Sequence, residues 1–279
     1  NFTYAYVHMA VKSIFDPEIP NNDGIAAPIR LIAPEGTVVN CRHPAAVAAR
    51  MQIGHFITEV IYRALAKALP DRVVAAGGGT PATMQMFYGR HGDGRPFHTV
   101  LIRGGGLGAS AGRDGEGSFI FPANGANTPV EILESDSPLI VERRELLPDS
   151  GGPGKQRGAL GRREQFRVPD DAYAPQAAVS LAIQSGRFRL PPEGLFGGKP
   201  GALAQFLVNG KPGDPYGLTQ LKPGDIVVMD AAGGGGYGNP GERDPELIAR
   251  DLREGKVSTR SAERDYCDAE RDYGEARRK

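Results

Sequence analysis

The 279 residues carry 33 Lys plus Arg against 33 Asp plus Glu, a formal net charge of zero at pH 7. Such a balance provides no global field to draw in nucleic acid or an anionic membrane surface, and no apolar run approaches the ~20 residues that cross a bilayer. Two cysteines, Cys41 and Cys267, stand far apart without metal-ligand spacing, so a reduced, cytoplasmic setting is the simpler expectation.

The chain opens without methionine in an amphipathic stretch around Tyr4 and Val11, with no charged leader and no cleavage site. A helix is expected near 3–14 and a strand near 28–33. His43 precedes Pro44 and is therefore expected to be extended. Alternation would put Cys41 and His43 on one face, as a nucleophile pair requires, but no third orienting group is identifiable. A long helix is expected over 46–69, with Ile53, Ile57, Val60, Ile61, Ala64, Leu65 and Ala68 on its apolar face. His91 and His98 flank Gly92, Asp93, Gly94, Arg95 and Pro96, which read as a turn on their own. Residues 99–103 read as a buried strand ending in three glycines.

From about 117 to 232 the signal is mostly β. Strands are expected at 130–133, 139–146, 162–167, 177–183, 204–208 and 226–229, separated by Gly and Pro turns. With 39 glycines and 23 prolines, well above ordinary usage, the excess is interleaved with apolar strands and reads as turns and tight packing. Two short polar helices close the chain over 244–273. Asp244 is an N-cap, Pro245 suits the first helical position and Glu246 the positive end of the dipole. Gly255 stops the first of the two, and Ser258 caps the second. The fold class expected is α+β, with a mixed helix/strand part over 1–115 and an antiparallel β-rich part over 116–279.

Glycines cluster at 77–79, 104–106 and 233–236. None is followed by the Lys-Ser/Thr of a phosphate-binding loop, and no long apolar helix follows Gly104, so nucleotide binding by this chain is not expected. Four glycines in a row are expected where the backbone takes positive φ or where something approaches too closely for a Cβ.

The glycine run continues into Tyr237-Gly238-Asn239-Pro240-Gly241-Glu242-Arg243-Asp244-Pro245-Glu246, which resembles the C-terminal signature of the hydantoinase B family. That family also holds the matching part of 5-oxoprolinase and a large subunit of the acetone and acetophenone carboxylases. Further segments are similar in the same order, among them Asp16-Pro17-Glu18-Ile19-Pro20, Ala68-Leu69-Pro70-Asp71-Arg72, Asn127-Thr128-Pro129-Val130-Glu131 and Pro191-Pro192-Glu193-Gly194-Leu195. The resemblance implies a fragment equivalent to the C-terminal half of a subunit. Its divalent metal would be held by His and Asp positions in the half before Asn1. It also implies a hydantoinase A-type ATPase subunit as partner, carrying ATP and Mg, in a hetero-oligomer that opens a cyclic amide such as a hydantoin or 5-oxoproline. An ATP-dependent carboxylase acting on a ketone is the second reading, and a scaffold or docking half without chemistry of its own is the third.

Among candidate site residues, His55 and Glu59 are four apart on the long helix and so could place two ligands on one metal. With Gln52 and Arg63 they also form a stripe opposite the apolar face, which a solvated polar face explains unless another subunit covers it. In the Gly/Pro-bounded loop 121–129, Asn124, Asn127 and Thr128 offer uncharged donors and acceptors suited to an amide or carbonyl substrate and to a developing oxyanion; turn chemistry is the competing reading. The backbone amides near Tyr237 are a further place for a substrate or a neighbouring subunit.

Overall fold

A computed structural model describes residues 2–266 apart from 124 and 126. The first helix, α1 (Phe2–Phe15), is followed by a single capped turn, α2 (Asp23–Ala26), in which Asn22 Oδ1 accepts from Ile25 N–H at 3.2 Å. The strand expected at 28–33 does not form. Leu31 and Ile32 are apolar but exposed, and among the described residues no strand pairs with this segment.

The long helix, α3 (Arg50–Leu65), is shorter than expected at both ends. Residues 47–49 form an uncapped lead-in turn, and the helix unwinds at 66–68 with Leu69 N–H still bonded to the Leu65 carbonyl at 2.9 Å. Its orientation also differs from expectation. The buried line runs through Gly54, His55, Thr58 and Tyr62, while Val60 is 65% exposed. The cause is α1, which crosses α3 at Gly54; a Cβ there would enter the Tyr6 ring. Close helix approach at a glycine outweighs the width of the apolar stripe, and Ala10 and Ile14 of α1 then pack with Tyr62, Ala66 and Val73.

A hairpin follows, β1 (Thr83–Arg90) and β2 (Pro96–Arg103), in register from Thr83 opposite Arg103 to Arg90 opposite Pro96. Its turn closes with His91 N–H to the Arg95 carbonyl at 2.9 Å, and Gly94 takes φ 86°. Strand β1 was not expected because its inward positions include Thr83 and Gln85, which breaks the apolar alternation. Next come the short pair β3 (Gly105–Gly106) and β4 (Ser118–Phe119), and then α4 (Val130–Asp136) where a strand was expected. Only Leu133 of that segment reaches the core, and Glu131 in the first turn favours a helix start.

The remaining strands are β5 (Ile140–Leu146), β6 (Arg162–Arg167), β7 (Val179–Gln184), β8 (Gln205–Val208), β9 (Lys211–Pro212), β10 (Leu218–Leu221) and β11 (Ile226–Asp230). They form two antiparallel sheets, β10-β7-β1-β2 and β5-β6-β11-β8-β9. The sheets face each other across Phe87, Leu101, Val179 and Leu181 on one side and Phe166, Phe206, Val227 and Met229 on the other. Phe87 and Phe166 meet edge to face at 5.7 Å. The pairing of β1 with β7 crosses residue 115, so the two compositional zones share a sheet.

The glycine clusters meet at one end of this sandwich. None of residues 233–236 has positive φ; close approach alone explains them. A Cβ on Gly233 would enter the Ser150 carbonyl, on Gly234 the Leu107 carbonyl, on Gly235 the Glu193 carbonyl and on Gly236 the Pro153 carbonyl. Gly78, Gly105 and Gly106 are similarly tight against the same run or each other. The run is the axis of a bundle of extended segments held by backbone hydrogen bonds, with no room between them for side chains.

The chain closes with a 3-10 turn at Pro240–Glu242, then α5 (Pro245–Arg253) and α6 (Thr259–Tyr266). Asp244 Oδ1 accepts from Glu246 N–H at 2.8 Å, Gly255 takes φ 66°, and Ser258 Oγ accepts from Ser261 N–H at 3.2 Å, all as expected from sequence. The part of the second helix expected beyond 266, and Cys267, lie outside the described residues.

Candidate functional site

A cleft of about 900 Å³ opens between the start of α1, the loop 31–41 and the start of α3. Phe2, Leu31, Val39, Val47 and Ile53 give it an apolar lining, and Arg50 stands over the Phe2 ring at 5.8 Å. Gln52 closes its floor, donating to the Ala82 carbonyl at 2.9 Å. Cys41 borders the cleft and is exposed, as is His43 in the bend beside it.

Beneath this cleft α3 turns its polar stripe inward, correcting the solvated face expected for Gln52, His55 and Glu59; of the four, only Arg63 is exposed. His55 is 2% exposed and its Nδ1 accepts the Ala82 N–H at 3.2 Å. Burial pushes its pKa down, so the ring is neutral and Nε2 carries the proton. The Glu59 carboxylate pairs with the buried Arg187, whose guanidinium also packs over the Phe56 ring at 5.2 Å. Burial raises the Glu59 pKa, and the Arg187 charge and hydrogen bond oppose that rise. Both candidate ligands thus have structural partners. Among the described residues there is no group of three or more His, Cys, Asp and Glu that could hold a metal ion.

The histidines at the hairpin turn go to different partners. His98 stacks on Tyr88 at 4.6 Å, across the β1–β2 pair, and His91 tilts onto Phe97 at 5.3 Å. Thr128 borders a depression of about 400 Å³ next to His98, and its carbonyl accepts from Arg144 Nη1 at 3.1 Å. Asn127 beside it is exposed, which leaves its amide accessible; Asn124 lies outside the described residues.

Tyr237 sits elsewhere in the fold, 9% exposed, with its hydroxyl donating to the Pro70 carbonyl at 3.0 Å and its ring tilted on Phe196 at 5.1 Å. Burial and the nearby Asp71 charge raise its pKa. The amides around it are all engaged. Gly233 donates to Ala202, Gly234 to Ala159, Gly235 to Ala76, Gly236 to Lys199, Tyr237 to Gln156 and Gly238 to Leu195, at 2.8–3.2 Å. The ligand cradle that the run suggests in sequence is filled by the protein's own backbone.

Sequence reasoning did not identify the buried charge clusters. Arg243 is bidentate to Asp114, at 2.7 and 2.8 Å, and also reaches Asp251 at 2.7 Å; Arg157 pairs with Asp251 at 2.9 Å. This cluster fastens the terminal helices to the glycine bundle. Burial works to raise the Asp114 pKa, but the Arg243 hydrogen bonds and charge overcome it and hold it below the ordinary value. Lone arginines and aspartates scattered from 114 to 251 carry no spacing signal that would have revealed them.

A family model described as Hydantoinase B/oxoprolinase matches residues 1–240. An uncharacterized protein of Methanocaldococcus jannaschii is 37% identical over 95% of this chain and 46% of its own length. The caprolactamase subunit beta of Pseudomonas jessenii is 28% identical over 88% of this chain and 44% of its own. A nucleotide-free acetone carboxylase has the same fold, with a TM-score of 0.79 at 20% identity, over 94% of this chain and 40% of that one. The chain therefore spans less than half the length of these proteins.

Proposed function

The chain belongs to the Hydantoinase B/oxoprolinase family, and from that membership we propose that it is part of the B-type subunit of an ATP-dependent amidohydrolase. The enzyme would open a cyclic amide such as a hydantoin, 5-oxoproline or a lactam, working with an A-type ATPase subunit in a cytoplasmic hetero-oligomer. The observation that carries this reading is the family match over residues 1–240, with a lactam hydrolase subunit among the relatives aligned along most of the chain.

The division of labour follows from the chemistry. An amide needs a better electrophile and a nucleophile available at neutral pH. Phosphorylation of the amide oxygen by the partner would supply the first and metal-assisted activation of water the second. The metal ligands belong to the part of the subunit outside this chain. In this chain, Asn127 and Thr128 in the accessible loop, together with Asn124, are the groups suited to bind the amide or carbonyl of the substrate, and Tyr237 holds the base of the glycine bundle.

A carboxylase reading shares the fold, since the acetone carboxylase matches it closely; the fold therefore does not discriminate, and bicarbonate does. The test is ATP turnover by the complete B-type subunit co-purified with its A-type partner. Cyclic amides and small ketones are supplied with and without bicarbonate. Turnover that depends on a cyclic amide and ignores bicarbonate is expected; a strict bicarbonate requirement with a ketone would replace the hydrolase by the carboxylase. If neither class of substrate stimulates ATP hydrolysis, the enzymatic reading fails, and a scaffold role is what remains.

A further inference from the structure

Between the two sheets, away from the cleft, three guanidinium groups converge on one carboxylate. Glu164 of β6 places Oε2 2.7 Å from Arg103 Nε of β2, and Oε1 2.9 Å from Arg144 Nε of β5 and 3.6 Å from Arg162 Nη2 of β6. Arg103, Arg162 and Glu164 are only 3%, 6% and 2% exposed. Asp230, the buried carboxylate on neighbouring β11, is already bidentate to Arg163 at 2.8 and 2.7 Å. Arg144 is partly solvated and extends to the Thr128 carbonyl. Arg103 and Arg162 are thus left sharing a single negative charge, with one positive charge uncompensated in the interior.

An unpaired buried charge is among the costliest features a fold can hold. Hydrogen bonding repeats the imbalance. Among the described residues, Arg103 Nε, Nη1 and Nη2, Arg144 Nε and Nη2 and Arg162 Nη2 are buried without a well-aligned acceptor, against Gln85 Oε1 and Glu164 Oε1 without a well-aligned donor. These side chains border one void of about 10 Å³ together with Thr83 and Met229, about the space of a single water-sized atom. Burial, with Arg162 and Arg144 adding to it against the pull of Glu164, pushes the Arg103 pKa down to about 10, the response of a cation short of counter-charge.

We propose that this void is a binding site for one monatomic anion of the chloride class, held by the Arg103 and Arg162 guanidinium groups and the Gln85 amide. The void is too small for a phosphate or carboxylate. A water molecule would accept hydrogen bonds there but leave the charge uncompensated. The Gln85 amide turned over presents Nε2 to the anion with the heavy-atom positions unchanged. The ion would tie β2 of one sheet to β6 of the other, at the polar seam between the sheets.

The test is thermal unfolding of the purified chain at constant ionic strength, with sodium gluconate exchanged for sodium chloride or bromide. Binding to the folded state alone should raise Tm by about 5–10 °C at a halide concentration ~100-fold above the dissociation constant. Arg162→Gln removes the excess charge and should flatten that dependence. A crystal soaked in bromide should show an anomalous peak between Arg103 and Arg162, a readout that does not depend on the variant folding. Equal halide dependence in parent and variant, or a bromide-soaked crystal without that peak, overturns the proposal and makes the occupant water.

Discussion

Gly234→Ala is the sharpest perturbation of the glycine bundle. The new methyl group would enter the Leu107 carbonyl and stand 2.8 Å from Gly108 N, and all of these are backbone atoms that no rotamer change can move. Separating the segments strains or breaks two bonds, Gly234 N–H to the Ala159 carbonyl and Gly152 N–H to the Gly234 carbonyl, both 2.8 Å. Two buried backbone hydrogen bonds lost cost about 1–3 kcal/mol each, and overpacking adds about 1–3 kcal/mol. The sum, roughly 3–9 kcal/mol, is comparable with the ~5–15 kcal/mol that holds a typical domain together. The control is Gly210→Ala, where φ is 74° but a Cβ meets nothing within 4 Å; it should lose only the ~1–2 kcal/mol of left-handed strain. Urea unfolding followed by circular dichroism, with the soluble fraction on expression, measures both. A Gly234→Ala protein within about 1 kcal/mol of its parent, or a Gly210→Ala protein equally damaged, would refute the account of the run as a steric necessity.

Asp251→Ala leaves the buried Arg157 without its carboxylate, while Arg243 keeps Asp114, and should destabilise by about 3–5 kcal/mol, seen as early proteolytic release of α5 and α6. Asp114, with its pKa held below the ordinary ~3.9, contributes stability that is present above pH ~4 and lost as pH falls through its folded value; Asp114→Asn should flatten the acid limb of an unfolding-versus-pH curve. His55, neutral because burial lowers its pKa, contributes stability that is full above ~6.5 and falls as pH drops below it; His55→Leu should remove that slope and cost about 1–3 kcal/mol for the orphaned Ala82 N–H. In the assembled complex, Asn127→Ala and Thr128→Val should each lower substrate-stimulated kcat by about 10–100-fold with Tm unchanged if the loop meets the substrate; turnover within twofold of the parent would remove the loop from the site.

The segments read correctly from sequence are those whose own residues settle their structure. Asp244, Pro245, Gly255 and Ser258 act within one helical turn, so the terminal helices follow from local capping alone. β6 and β11 likewise show the alternation of a sheet with one face buried. Readings failed wherever a distant partner decided the outcome. Residues 28–33 have the composition of a strand and, among the described residues, no strand to pair with. Val130–Asp136 became a helix because only Leu133 had a place in the core. The face of α3 was set by Tyr6 crossing at Gly54, which turned His55 from an expected surface residue into a buried acceptor.

The amino-acid order by itself determined the family, the two terminal helices and most of the strands, because those signals are carried by neighbours a few residues apart. Only the tertiary structure decided what the four glycines at 233–236 are for. Their motif announces a backbone that cannot carry side chains but not the reason, which is that segments from Ala76 to Ala202 converge on the same line and hydrogen-bond to every amide in it. The clusters around Glu164 and Asp251 are equally invisible in the chain, since a buried charge is defined by the groups that fold around it.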